Sequence, residues 1–337
     1  MGAYIVKRFL LGIFTIWVVS VLAFVIIQLP EGDWLDEYEK VLYGHYQHLT
    51  LGEKEDLRDY FGLNDPMIVR YGKWAWNVLH YDFGYTYLKG GFEYPVLTPV
   101  RETIEERFIL TVVLSFFTMA VTWVFAIPVG IYSAVRQHSV GDYFFTFVGF
   151  TGIAIPDFLL GLVLMYIAFA YLDQTVGGLF SDKYMGAQWN LDKIWDLIKH
   201  LWIPAVVLGT SGTASLIRIM RNNLLDELGR PYVMTARSKG MSNWRLILKY
   251  PVRVASNPLV STVGYLLPAL INGSIIVSVV LSLPTLGPVL LGAILQQDVF
   301  VAGAIILMLG VLTVVGTFLS DMLLMIVDPR IKFTSKQ

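Results

Sequence analysis

The sequence predicts an all-α polytopic membrane protein with six transmembrane helices, from its composition, the length of its apolar runs and the placement of charge between them. Of 337 residues, 55% are hydrophobic and 15% charged, whereas soluble domains carry about 25% charged residues. Lipid is therefore the expected solvent. A helix needs roughly 20 apolar residues to cross the hydrocarbon core. Five runs satisfy that length: 9–29, 108–135, 144–172, 201–220 and 299–327. A sixth lies in 254–297, which carries no charge but is too long for one span and contains Leu283-Pro-Thr-Leu-Gly-Pro288. Proline and glycine there break the helix. The split leaves a span from Pro258 to Leu283 and an interfacial or re-entrant tail from Leu286 to Gln297.

The elements follow in order. Lys7 and Arg8 precede the first run, which is longer than a signal-peptide core and ends in Gln28-Leu-Pro-Glu31 without a small-residue cleavage site. A retained first span, 1–29, is predicted. Residues 30–107 form a polar external segment or subdomain, and 108–337 the core of five further spans. In the external segment Thr98 is the expected N-cap and Pro99 the first residue of a helix lying at the interface before the second span. A second external loop, 173–200, ends in an amphipathic stretch from Trp189 to His200. With the N-terminus inside, the inner segments hold Arg136, Arg218, Arg221, Arg230, Arg237, Lys239, Arg245, Lys249, Arg253, Arg330, Lys332 and Lys336 besides the first two. Lys and Arg near span ends favour the cytoplasmic side, so both termini are placed there.

The inner loop 222–257 reads as short helices: a start over 222–228, a break at Gly229-Arg-Pro231, a run from Tyr232 to Lys239, an interruption at Gly240, and resumed helix from Met241 to Val254. Such a compact basic element is a docking surface for a soluble partner.

Several chemistries are excluded or disfavoured. With no cysteine there is neither a disulfide nor a thiolate metal site. The five histidines, His45, His48, His80, His138 and His200, lack zinc-type spacing and lie outside the span cores. Gly209-Thr-Ser-Gly212 is similar to the serine motif of intramembrane proteases, but no histidine is placed to act as base. Small residues for close helix packing are the expected role. No phosphate-binding Gly-x-x-x-x-Gly-Lys-Ser/Thr loop occurs, and Gly72-Lys73 lacks its leading glycine. The chain is thus expected to be no enzyme and to hold no cofactor or metal. Nucleic acid is not an expected partner. Asp157, following Pro156, is the one ionisable residue well inside a predicted span. It belongs either to a translocation path or to helix packing. Asp321 is expected to be structural.

Tyr232-Val-Met-Thr-Ala-Arg-Ser-Lys-Gly-Met241 resembles the coupling loop of the dipeptide/oligopeptide permease family of ABC importers. Further matches run along the chain: Phe61-Gly-Leu-Asn-Asp-Pro66, Tyr71, Trp74, Asp82-Phe-Gly84, Ile155-Pro-Asp-Phe158, Gly273-Ser-Ile-Ile-Val277, Ser282-Leu-Pro284 and Asp328-Pro-Arg330. Met234, Pro231, Ser278 and Thr285 depart from the family pattern. The resemblance implies a type I ABC importer permease fold in a bacterial inner membrane. It also implies a heterodimer with a second homologous permease, two cytoplasmic ATPases that bind ATP and magnesium, and an external solute-binding protein. Tyr232, Thr235, Ala236, Lys239, Gly240 and Met241 are the expected coupling residues, with Asp157, Asn272 and Ser278 on the pathway. The implied cargo is oligopeptides or dipeptides, with oligosaccharides or nickel as alternatives. A stand-alone secondary transporter or channel would require more intramembrane carboxylates or broken helices than this sequence offers.

Overall fold

The computed structural model describes residues 2–28, 34–44, 48–87, 97–172, 174 and 177–327. They form fourteen α-helices, one short 3-10 turn and a two-stranded sheet, divided into two compact units. Unit 1 comprises 1–6, 112–283 and 315–337, and unit 2 comprises 7–111 and 284–314. The helices α1 (Gly2–Ile27), α5 (Val100–Val135) and α14 (Val299–Val327) each contribute to both.

Unit 1 is built on α8 (Leu191–Leu228), against which α6 (Val140–Ala154), α7 (Asp157–Leu172), α11 (Pro251–Ala255) and α12 (Asn257–Val280) pack. The Asn190 side chain caps α8 by accepting the backbone N–H of Lys193 at 2.8 Å. Close approach depends on glycine at two points. A Cβ at Gly130 would stand 2.7 Å from Met220 Cβ, and one at Gly209 would stand 2.7 Å from Thr122 Oγ1. The expected packing role of the Gly209-to-Gly212 stretch is thus visible at Gly209. At the junction of α6 and α8, Arg221 donates from Nε and Nη2 to the two oxygens of buried Asp142 at 3.1 and 3.0 Å. The same carboxylate accepts the His138 backbone N–H at 3.0 Å.

Unit 2 contains α2 (Trp34–Gly44), α3 (Leu51–Tyr60), α4 (Met67–Leu79), strands β1 (Tyr85–Thr86) and β2 (Thr98–Pro99), and α13 (Leu286–Leu295). Thr50 and Glu53 make a capping box at α3. One cluster joins Trp34, Leu35, Tyr38, Leu42 and Tyr87, and a second joins Phe24, Trp74 and Leu307. Buried Asp298, just before α14, accepts the Thr86 hydroxyl at 2.5 Å. Tyr87 donates its hydroxyl to the Gln296 carbonyl at 2.8 Å. These two bonds tie the β1 segment to the start of the last helix.

Four described helices are long and apolar enough to cross a membrane, those containing Ile5–Ile26, Val100–Val135, Leu191–Leu228 and Val299–Leu323; α6 and α7 together pass as a pair. The predicted continuous span 144–172 is instead two helices bent by 106° at a break over Ile155 and Pro156. Proline removes the N–H that would continue the ladder and disfavours helix at the residue before it. Residues 98 and 99 also differ from expectation. Thr98 and Pro99 pair antiparallel with Thr86 and Tyr85, and α5 begins at Val100, whose N–H donates to Gly84 O at 2.9 Å. The ladder takes the residues read as cap and first turn. No separate interfacial helix follows, because α5 runs unbroken for 36 residues. Likewise the amphipathic stretch before the fourth span, from Leu191 on, and the loop start at 222–228 belong to α8.

Candidate functional site

The inner loop begins where α8 ends at Leu228. Gly229 and Arg230 break the helix, and Pro231 occupies the first position of α9 (Pro231–Ser238), where its missing N–H costs nothing. A turn follows through Lys239 and Gly240, and α10 (Asn243–Lys249) and α11 complete the segment. Gly240 has φ +75°, a left-handed backbone that glycine adopts without steric cost.

Apolar side chains pin this element down. Val233, Leu246, Ile247 and Ala255 are buried in one cluster with Ile131, Leu216, Met220 and Leu224. One face of α9, α10 and α11 is therefore part of the unit 1 core rather than a loose basic tail. Its other face is exposed, presenting Met234, Arg237, Lys239 and Trp244. This is an apolar and cationic patch on an anchored support.

The expected coupling residues divide between those faces. Tyr232 is exposed and donates its hydroxyl to Glu227 Oε2 at 2.6 Å. Burial of part of its ring, then that bond, pushes the phenol up to about 12, so it remains a neutral donor. Thr235 uses its hydroxyl on the Pro231 carbonyl at 3.0 Å. Lys239 and Gly240 are exposed at the turn. Ala236 and Met241 are half-buried against the core cluster and serve packing. The anchors Val233, Leu246 and Ile247 were missed by sequence reading, although their apolar character between basic residues is the signal that marks them.

The pathway candidates are not brought together on this loop. Asp157 sits half-buried at the first position of α7, immediately after the break, where the unpaired N–H groups of a helix start favour a carboxylate. Ser278 is fully buried in α12, and its hydroxyl has no hydrogen-bond partner among the described residues. The Asn272 side chain and residues 328–330 lie outside the described residues.

Residues 126–333 match the family described as binding-protein-dependent transport system inner membrane component. Over 99% of its length the chain is 34% identical to the whole of an oligopeptide transport system permease protein of Bacillus subtilis (strain 168). It is 30% identical, over 80% of its length and 83% of the relative's, to a dipeptide transport system permease protein of Escherichia coli (strain K12).

Proposed function

The chain belongs to the family of binding-protein-dependent transport system inner membrane components, and from that membership we propose that it is a membrane-embedded permease subunit importing peptides at the expense of ATP hydrolysed by partner subunits. The observation that carries the coupling part is the anchored loop. α9, the Gly240 turn and α10 are held to the body by Val233, Leu246 and Ile247, and turn Met234, Arg237, Lys239 and Trp244 outward.

In this reading two cytoplasmic ATPases grip the exposed face, and their closure moves α9 and α10 as a rigid piece. Because those helices share a core with α5 and α8, the displacement passes into the spanning body and changes access to the pathway. Tightly packed interiors transmit such motion rather than absorbing it. The partners are a second homologous permease, two ATPases and an external solute-binding protein. Six spans in a type I arrangement, with both termini cytoplasmic, complete the proposal, α12 supplying the span beyond those that pass on length and composition. The cargo is oligopeptide or dipeptide, supported by the names of the relatives.

The test uses the absence of native cysteine. A single Met234→Cys gives one thiol on the exposed face of α9, and a cysteine-reactive crosslinker should join it to an ATPase subunit in the assembled complex. The same complex in liposomes should take up a labelled oligopeptide only with ATP present. Uptake by this chain without ATPases, or no crosslink in an active complex, refutes the coupling assignment.

A further inference from the structure

Unit 2 contains a cavity of about 360 Å³, within the size range of small-molecule sites. Trp34, Phe61, Trp74, Phe83 and Phe300 form much of its wall. The rings are packed on one another, Trp34 to Phe61 at 4.8 Å and Trp34 to Phe300 at 5.3 Å between centroids. The wall is therefore already in place before anything enters.

Charge on this wall is unequally committed. Lys73 Nζ is 2.5 Å from Asp65 Oδ2, Glu37 is paired with Lys40, and Asp82 Oδ1 accepts the Gly84 N–H at 3.0 Å. Arg70 lines the cavity half-buried, and its guanidinium makes no hydrogen bond or ion pair among the described residues. The Trp34 indole N–H, on a side chain 2% exposed, also has no acceptor among them.

We propose that this cavity receives the C-terminal end of a short peptide, Arg70 holding the free carboxylate and the aromatic wall holding the last side chain. A guanidinium presents parallel donors that match a carboxylate in bidentate fashion. Aromatic rings accept both apolar side chains and peptide planes. A sugar would use the rings but gives an uncommitted cation nothing to pair with. The volume holds about one or two residues, so recognition is of a terminus rather than a whole chain, and peptides of different length share the feature recognised. This rests on the peptide reading above and assigns it a site in unit 2, where the external segment meets the ends of the first and last long helices.

The experiment titrates the full-length chain in lipid nanodiscs with phenylalanyl-phenylalanine and with its C-terminal amide, by calorimetry and by the fluorescence of the cavity tryptophans. The free acid should bind at least about tenfold more tightly than the amide, loss of one charge-assisted pair corresponding to this order. Arg70→Gln should erase that difference, and Arg70→Lys should restore part of it. Equal binding of acid and amide to the unaltered chain overturns the proposal without any variant having to fold. Absence of binding up to millimolar peptide, or unchanged discrimination in a folded Arg70→Gln chain, does so as well. ATP-driven uptake of the same dipeptide by the assembled complex separates the two levels: uptake without acid-selective binding removes this site alone, whereas absence of peptide uptake removes the reading it rests on.

Discussion

Gly240 offers the most direct separation of folding from coupling. Its φ of +75° places the turn between α9 and α10 in the left-handed region, which costs an ordinary L residue about 1–2 kcal/mol and asparagine less. A Cβ added there meets no heavy atom within 4 Å, so steric overlap inside the chain adds nothing. The total is small beside the roughly 5–15 kcal/mol that separates folded from unfolded domains, and every variant should remain in the membrane. The series is Gly240→Asn, Gly240→Ala and Gly240→Trp, each assembled with the ATPases in liposomes. ATP-driven uptake of a labelled oligopeptide is measured beside membrane abundance and thermal midpoint. Asparagine should leave uptake close to normal. Alanine should reduce it by no more than about the 5- to 30-fold that 1–2 kcal/mol represents. Tryptophan should abolish uptake with abundance unchanged, since its bulk projects from an exposed turn into whatever docks there. Normal uptake by the tryptophan variant, or a loss fully matched by loss of protein from the membrane, would refute the reasoning.

Three further outcomes follow from the packing. Asp142→Ala leaves the Arg221 guanidinium without the bidentate carboxylate that now holds it, which should lower stability by about 3–5 kcal/mol; an unchanged thermal midpoint in detergent would contradict this. Burial pushes the Asp298 carboxyl up to about 6, against the opposing pull of Thr86 and backbone N–H groups. Since this lies above the unfolded value of about 3.9, protonation favours the fold: the contribution is complete below about 3.9 and is lost as pH rises through about 6. Stability should fall by up to about 3 kcal/mol in all between about pH 3.5 and pH 7 and level off above that, read as a falling thermal midpoint, and Asp298→Asn should flatten the profile; a flat profile in the unaltered chain rejects the assignment. Gly209→Ala forces a contact of 2.7 Å with Thr122, whereas a Cβ at Gly212 has its nearest neighbour at an ordinary 3.8 Å. The first should destabilise by about 1–3 kcal/mol and the second hardly at all, and equal melting of the two variants would show the close approach to be unimportant.

Much of the element plan was legible because it depends on local terms. Apolar runs of spanning length located the long helices, and Pro284 stands in the break between α12 and α13, where one was expected. Pro231 and Gly240 marked joints of the inner loop for the same reason: each changes the backbone at its own position, whatever surrounds it. Thr98 and Pro99 show where local reading fails. Their residue types suit a helix start, yet β1 claims their hydrogen bonds.

What the sequence alone determined is the apolar solvent of the protein, most of its long helices and the joints at 229–231, 240 and 284, but not the bend at Ile155 and Pro156, since hydrophobicity and backbone restriction accumulate within a window of neighbouring residues. Only the tertiary structure decided which distant groups meet. Asp142 finds Arg221 at a separation of 79 residues, and Thr86 finds Asp298 at 212. Val233 became an anchor and Arg70 an uncommitted charge on an aromatic wall by the same means. Those pairings depend on which faces of the helices are turned toward one another, and that is set by the packing of all of them at once.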